Sequence, residues 1–156
     1  MTDGDIENRE VSWESFARFI PSITREEFAD LVSWIESRTF PAGTVLSNEK
    51  ERASYIGFLL TGKLSVRKTN KFSGRPALLA ILEEGAIFGE RNLAEGLPAD
   101  VSLETMEESR ALLLPCDKVR QVIRDNPALG VKILSSCLKV VGRRLQGATA
   151  RIVDIL

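Results

Sequence analysis

The fold is decided by the stretch Tyr55-Ile-Gly-Phe-Leu-Leu-Thr-Gly62 and by the residues that follow it, Lys63-Leu-Ser-Val66. The first part is an apolar run of strand length that ends at a glycine, and in the second part apolar and polar residues alternate. An apolar run, a turn residue and then period-two alternation are typical of two consecutive β-strands. The centre of the chain is therefore predicted to be β-sheet.

Short apolar segments separated by turn residues continue on both sides of this stretch. The turns include Pro41-Ala-Gly43 and Asn70-Lys-Phe-Ser-Gly74, and the last segment is the apolar run Ala111-Leu-Leu-Leu114. Strands that recur at intervals of roughly ten residues with glycine turns are typical of a β-sandwich or a β-barrel. We therefore predict one all-β unit over residues 39–115.

Residues 12–37 are predicted to be helical, and together with the preceding residues they form an N-terminal segment, 1–38. Apolar residues recur there at helical spacing, beginning at Trp13. A helix is expected to start at Thr24, because Thr24 and Glu27 have the spacing of a capping box, in which each side chain binds the other residue's backbone N–H.

After the strands the pattern returns to helix, and residues 116–156 are predicted to form two helices. Asp117 is a suitable N-cap for a short helix that ends near Arg124. Asn126-Pro127 then begins a long final helix, because proline is favoured at the first helical position.

The final helix carries an apolar stripe whose members are separated alternately by three and four residues. The stripe consists of Val131, Leu134, Leu138, Val141, Leu145, Ala148, Ile152 and Ile155. This heptad spacing is typical of a coiled coil, and its mixture of β-branched residues and leucine fits a parallel two-stranded one. We predict a homodimer held by this helix. The alternative is that the stripe packs against the β-unit of its own chain.

The composition excludes several classes of protein. The chain contains no histidine, which removes Ser-His and Cys-His catalysis and histidine-based metal sites. The net charge of −1 gives no reason to expect general affinity for nucleic acid or for an anionic membrane. Cys116 and Cys137 lie in apolar stretches and are interpreted as small core residues.

The sequence shows neither a membrane span nor a secretory signal. No segment approaches the roughly 20 consecutive apolar residues that a membrane-spanning helix needs. The N-terminus, Met1-Thr-Asp-Gly-Asp-Ile-Glu7, is acidic and polar, unlike a secretory signal. We therefore expect a cytoplasmic protein.

Four blocks of sequence resemble the cyclic-nucleotide-binding domain family, and they occur in the family's order. Three of them are similar to strands or to a helix of that fold: Phe40-Pro-Ala-Gly-Thr-Val-Leu46, the stretch from 56 to 66, and residues 115–123. The fourth, Leu82-Glu-Glu-Gly-Ala-Ile-Phe-Gly-Glu90, resembles the start of the family's phosphate-binding cassette. The resemblance implies a mainly β fold with flanking helices, namely a double-stranded β-helix (β-roll or jelly roll) with N-terminal helices and a long C-terminal dimerisation helix.

The match to the cassette centres on Phe88, Gly89 and Glu90. In the family, the glycine opens a short helix whose N–H groups hold the cyclic phosphate, and the glutamate accepts a hydrogen bond from the ribose 2′-hydroxyl. An arginine shortly after a proline neutralises the phosphate. The resemblance places Ala99, which follows Pro98, at the position of that arginine.

No lysine or arginine lies between Asn92 and Ser109, so Arg91 is the neighbouring substitute for the missing charge. Asp100 is expected to repel a phosphate if it faces the site. A cyclic nucleotide or another small anion should therefore be held weakly, and no metal or further cofactor is implied. The candidate ligand-binding residues are Phe88, Gly89, Glu90, Arg91, Asn92, Ala99 and Asp100.

Two functions remain. The first is a non-enzymatic regulatory or sensory module that binds a small molecule, and the second is a dimeric assembly module whose pocket is vestigial. An enzyme on a related β-barrel, such as a cupin, would need metal-binding histidines, which are absent. The chain ends at Leu156, where the transcription factors of the family continue into a DNA-binding domain. We therefore expect no DNA-binding domain, no binding to duplex DNA by this chain alone, and a downstream protein partner that the sequence does not identify.

Overall fold

The computed structural model describes residues 5–6, 11–94 and 97–156, in which two short helices precede most of the strands. Helix α1 spans Trp13–Ala17 and helix α2 spans Arg25–Leu31, followed by a 3₁₀ turn at Val32–Trp34. The predicted capping box is present, since Thr24 and Glu27 each bind the other's backbone N–H. The helical region ends earlier than predicted, because a strand begins at Glu36.

The strands form two antiparallel sheets. In chain order they are β1 (Asp5–Ile6), β2 (Glu36–Phe40), β3 (Val45–Ser47), β4 (Tyr55–Thr61), β5 (Leu64–Thr69), β6 (Pro76–Leu82), β7 (Ile87–Phe88), β8 (Ser102–Thr105) and β9 (Ser109–Pro115). One sheet has the order β1-β2-β9-β4-β7 and the other β3-β8-β5-β6. The turn between β4 and β5 needs glycine, because Gly62 has φ +96° and a Cβ there would lie 2.6 Å from the Cα of Ser109.

Strand β4 is buried on both faces, which explains its unbroken apolar sequence. Ile56, Phe58 and Leu60 belong to the core that the first sheet forms with the helices. Leu59, which points the other way, belongs to a second core inside the roll, together with Phe40. A strand covered on both sides reads as a continuous apolar run. The predicted mainly β roll with flanking helices is therefore confirmed.

Two helices follow the strands, α3 (Cys116–Asp125) and α4 (Pro127–Ile155). Asn126 caps α4 as predicted, accepting a hydrogen bond from the backbone N–H of Leu129 at 3.3 Å. The prediction that Asp117 caps α3 was wrong, because α3 begins at Cys116 and Asp117 lies within its first turn. Cys116 and Cys137 are free and buried, and burial raises the pKa of each thiol to about 11.

Helix α4 has two faces of different character. The predicted heptad residues form an outer stripe that is largely exposed; Leu138, for example, is 71% exposed and Leu145 is 66% exposed. The inner stripe faces the chain's own core and roll and consists of Ile133, Cys137, Val140, Arg144, Gly147 and Arg151. In the described residues, the chain therefore packs against itself mainly through the inner stripe.

No helix in the described part of the chain is both long enough and apolar enough to cross a lipid bilayer.

Candidate functional site

A cavity of about 660 Å³ lies between the second sheet, the turn that follows β7, and helix α4. The sheet wall is apolar and includes Val66, Leu82 and Leu103. The structure brings all the candidate ligand-binding residues to this one cavity: Phe88, Gly89, Glu90, Arg91, Asn92, Ala99 and Asp100.

The turn after β7 is held tightly against β4. Gly89 has φ +73°, and a Cβ there would lie 2.6 Å from the carbonyl oxygen of Tyr55. Asn92 donates its Nδ2 to that same carbonyl at 2.9 Å and its backbone N–H to the oxygen of Gly89 at 3.0 Å. The 3₁₀ turn Glu90–Leu93 is thereby fixed in place, and the side chain of Asn92 is occupied in fixing it.

Phe88 forms part of the floor of the cavity, and its position depends on a glycine in β4. A Cβ at Gly57 would lie 2.0 Å from the Phe88 Cζ atom, so only glycine leaves room for the ring. The ring is 7% exposed and belongs to the core inside the roll. Gly57 therefore sets the shape of this wall although it does not line the cavity.

Glu90 is paired with an arginine from α4. Its Oε1 accepts a hydrogen bond from Nη1 of Arg144 at 2.7 Å, while Nη2 of Arg144 donates to the carbonyl oxygen of Ile87. The Glu90 side chain is 13% exposed, and its Oε2 is buried without a hydrogen-bond partner among the described residues. The turn and α4 are thus joined directly at the cavity wall.

Sequence reasoning missed this arginine. From the sequence, no role was assigned to the basic residues of the last helix, but Arg143, Arg144 and Arg151 all line the cavity. The signal was present in the sequence, because Arg144 and Arg151 continue the spacing of the inner stripe that begins at Ile133. Two residues of the outer stripe, Val141 and Leu145, also reach the cavity.

Ala99 lies in the wall with a short side chain and an anchored backbone. Its N–H donates to the oxygen of Glu51 at 2.9 Å, and its oxygen accepts from the N–H of Lys50 at 2.6 Å. These bonds tie the segment that precedes β8 to the loop before β4 and hold residue 99 at the edge of the cavity.

The charges of Arg91 and Asp100 offset each other. Nη1 of Arg91 lies 3.2 Å from Oδ2 of Asp100, and Nζ of Lys68 lies 3.6 Å from the same oxygen. Asp100 does line the cavity, but two cations now reduce the repulsion that we expected it to exert on a phosphate. Arg91 is therefore paired with a carboxylate at the cavity wall.

The arrangement suits binding of an organic molecule more than bond-making chemistry. It combines apolar walls with arginines and two carboxylates. Among the residues that the structure describes, no group of cysteines, aspartates and glutamates could hold a metal ion.

Comparison with curated proteins finds a regulator of similar sequence. The chain is 27% identical over 128 residues to the "CRP-like cAMP-activated global transcriptional regulator" of Mycobacterium tuberculosis. The match covers 82% of this chain and 55% of that protein, so the chain spans about half the length of the relative.

Solved structures share the fold. A cyclic nucleotide-binding domain from Methylobacillus flagellatus superposes with a TM-score of 0.84 at 24% identity, covering 92% of this chain and 83% of that one. For a putative cyclic nucleotide-binding protein from Geobacter metallireducens the TM-score is 0.75 at 25% identity, with coverage of 86% and 98%. For the catabolite activator protein of Thermus thermophilus the TM-score is 0.71 at 21% identity, and the match covers 88% of this chain and 62% of that one.

The family model named "Cyclic nucleotide-binding domain" matches residues 37–126. This range contains β2 to β9 apart from the first residue of β2, together with the turn after β7 and helix α3. Since the match covers more than half of the chain, the protein belongs to the cyclic nucleotide-binding domain family.

Proposed function

We propose that this protein is a non-enzymatic regulatory module whose cavity binds a small molecule, and that it binds cyclic AMP and cyclic GMP weakly or not at all. Family membership supports the regulatory role and the cavity. The observation that carries the second part is Ala99, which lines the cavity where the family resemblance places the phosphate-binding arginine.

Two of the cavity arginines are already paired within the protein. Arg91 is engaged by Asp100, and Arg144 is engaged by Glu90. A hydrogen bond to a charged group contributes about 1.5–3 kcal/mol. Removal of a forked arginine–phosphate pair should therefore weaken binding by about tenfold to a few hundredfold, at about 1.4 kcal/mol per decade.

The test is to restore the arginine. Calorimetry with cyclic AMP should detect binding to Ala99→Arg that is at least about tenfold tighter than binding to the wild type. The double variant with Asp100→Ala should bind at least as well, because the carboxylate that competes for the new guanidinium is gone. A matched control is Ala29→Arg, at an exposed position of α2, which should behave like the wild type. Equal affinities of Ala99→Arg and the control would refute the role assigned to residue 99.

The proposed module is a homodimer in which the outer stripe of α4 packs against a second copy. The stripe has the heptad spacing of a two-stranded coiled coil, and it is exposed on the single chain. A long helix with such a face is marginal in water unless the face is buried. In such a dimer, α4 would form both the interface and one wall of the cavity. Binding of a small molecule in the cavity would then act on the helix that holds the dimer together.

The exposed outer stripe also favours a second function, a dimeric assembly module with a vestigial cavity. The two proposals differ in whether any small molecule binds. Titration with a panel of nucleotides and other organic anions separates them, because saturable heat supports the sensor and its absence throughout supports assembly. A cytoplasmic location remains a prediction under both.

A further inference from the structure

The residues of the inner stripe of α4 change from apolar side chains to arginine and glycine where the helix passes from the core to the cavity. Over the core, its residues are Ile133, Cys137 and Val140. Over the cavity, the same spacing brings Arg144, Gly147 and Arg151. A helix face that packs against the protein is normally apolar along its length. The change to arginine and glycine therefore indicates that this part of the face does not cover an apolar core.

The positive charge at this wall exceeds the negative charge. The described lining contains four arginines, at 91, 143, 144 and 151, against two carboxylates, Glu90 and Asp100. The carboxylates are paired with Arg91 and Arg144. Arg143 and Arg151 form no hydrogen bond or ion pair with any residue in the described part of the chain. The excess charge therefore lies on α4, away from the turn after β7.

Gly147 leaves room between the arginines. A Cβ there would have no atom within 4 Å, so the space beside the helix is open. Glycine inside a helix costs about 0.5–1 kcal/mol relative to alanine, and no packing contact with the described residues requires it at this position. The opposite wall is apolar, formed by residues such as Val66, Leu82 and Leu103. A molecule in the cavity thus meets apolar side chains on one side and arginines on the other.

We propose that the cavity binds an organic anion with an apolar body, and that Arg143 and Arg151 of α4 hold its negative group. The apolar ring or chain lies against the sheet wall, and the anionic end lies beside Gly147. This inference rests on the proposed function and names the class of ligand that it implies. Recognition of the charge takes place on the helix, not at the turn that holds Glu90.

The test uses two fluorescent probes with the same ring system. Anilinonaphthalene sulfonate carries a negative charge, and N-phenylnaphthylamine is neutral. The wild type should bind the sulfonate at least about tenfold more tightly than the neutral probe. Arg143→Gln with Arg151→Gln should abolish this difference. The control pair Arg124→Gln with Lys139→Gln removes two cations that do not line the cavity and should preserve the difference.

A second pair of variants locates the bound probe. Gly147→Trp should fill the cavity and prevent binding of both probes, whereas Gly142→Trp, at a position of α4 that does not itself line the cavity, should leave binding unchanged. Equal affinity for the two probes, lost in Gly147→Trp, would overturn the anion inference but support a small-molecule site. Binding that survives Gly147→Trp would place the probes elsewhere and count against the proposed function itself.

Discussion

The side chains of Glu90 and Arg144 connect the two parts of the protein that meet at the cavity. Glu90 belongs to the turn after β7, Arg144 belongs to α4, and their charged atoms lie 2.7 Å apart. Both are largely withdrawn from water, with side-chain exposures of 13% and 36%. Removing one partner of such a pair costs more than removing one partner of a surface pair, because the carboxylate is then left buried without its cation.

Replacement of this arginine should destabilise the protein measurably. Arg144→Met leaves the Glu90 carboxylate without its cation and should lower the free energy of unfolding by about 2 kcal/mol. The double variant Glu90→Gln with Arg144→Met should recover part of that loss, since no charge is then left unpaired. The control is the exposed pair of Arg18 and Glu84, where Arg18→Met should cost less than about 1 kcal/mol. Urea denaturation measures the three variants beside the wild type. Equal losses of stability for Arg144→Met and Arg18→Met would show that the cavity pair contributes no more than a surface pair.

At the scale of elements, α4 makes a polar contact with α2 that should give the stability a defined pH dependence. Glu27 accepts hydrogen bonds from Lys132 at 2.8 and 2.9 Å, and this contact, with that to Thr24, holds the pKa of the Glu27 carboxyl below its ordinary value of 4.5. A carboxyl whose pKa is lowered by folding stabilises the protein above its unfolded pKa, and this contribution is lost as the pH falls through the lowered value.

Glu27→Gln should therefore be less stable than the wild type at pH 7, with the difference disappearing as the pH falls below 4.5. Glutamine can keep the hydrogen bond from the Thr24 N–H, so the comparison removes the charge of the carboxylate without removing the capping box. Thermal melts from pH 7 to about pH 3 measure the difference, and Glu26→Gln, at an exposed neighbouring position, is the control. A difference that stays constant over this range would rule out the ion pair as its cause.

The outer stripe of α4 is the predicted dimer interface. Leu138→Glu with Leu145→Glu places charges in the predicted coiled coil and should weaken the dimer by several kcal/mol. Ser135→Glu with Gln146→Glu adds the same charges on exposed positions of α4 outside the stripe and should leave the dimer intact. Light scattering gives the mass of each variant. A monomer mass for the wild type at micromolar concentration would contradict the dimer.

The sequence alone predicted those helices and strands whose residue pattern follows from local rules. Strand β4 was found because burial on both faces makes its sequence continuously apolar, and the start of α2 was found because its capping box is local. The start of β2 at Glu36 was missed, because this strand is defined by its pairing with β9, which is distant in sequence. On α4, the uniform outer stripe was visible, whereas the inner stripe was obscured by its change from apolar residues to arginine and glycine.

At the scale of the whole molecule, the cavity lies where three separate parts of the chain meet. The second sheet gives an apolar wall, the turn after β7 gives Glu90, and α4 gives the excess of arginine. The residues near the cassette were predicted because they resemble a continuous motif. The α4 wall could not be predicted in the same way, because its role depends on where a helix more than 50 residues later crosses the roll.

We propose that this protein lacks tight binding of cyclic AMP because Ala99 stands where the family resemblance places the phosphate-binding arginine. The most direct measurement is calorimetric titration of the wild type with cyclic AMP, with the Ala99→Arg variant measured beside it. We expect a wild-type dissociation constant well above about 10 µM, or no detectable heat, and a gain of at least about tenfold for Ala99→Arg. A wild-type dissociation constant below about 1 µM would contradict it, because the phosphate would then be held tightly without an arginine at position 99.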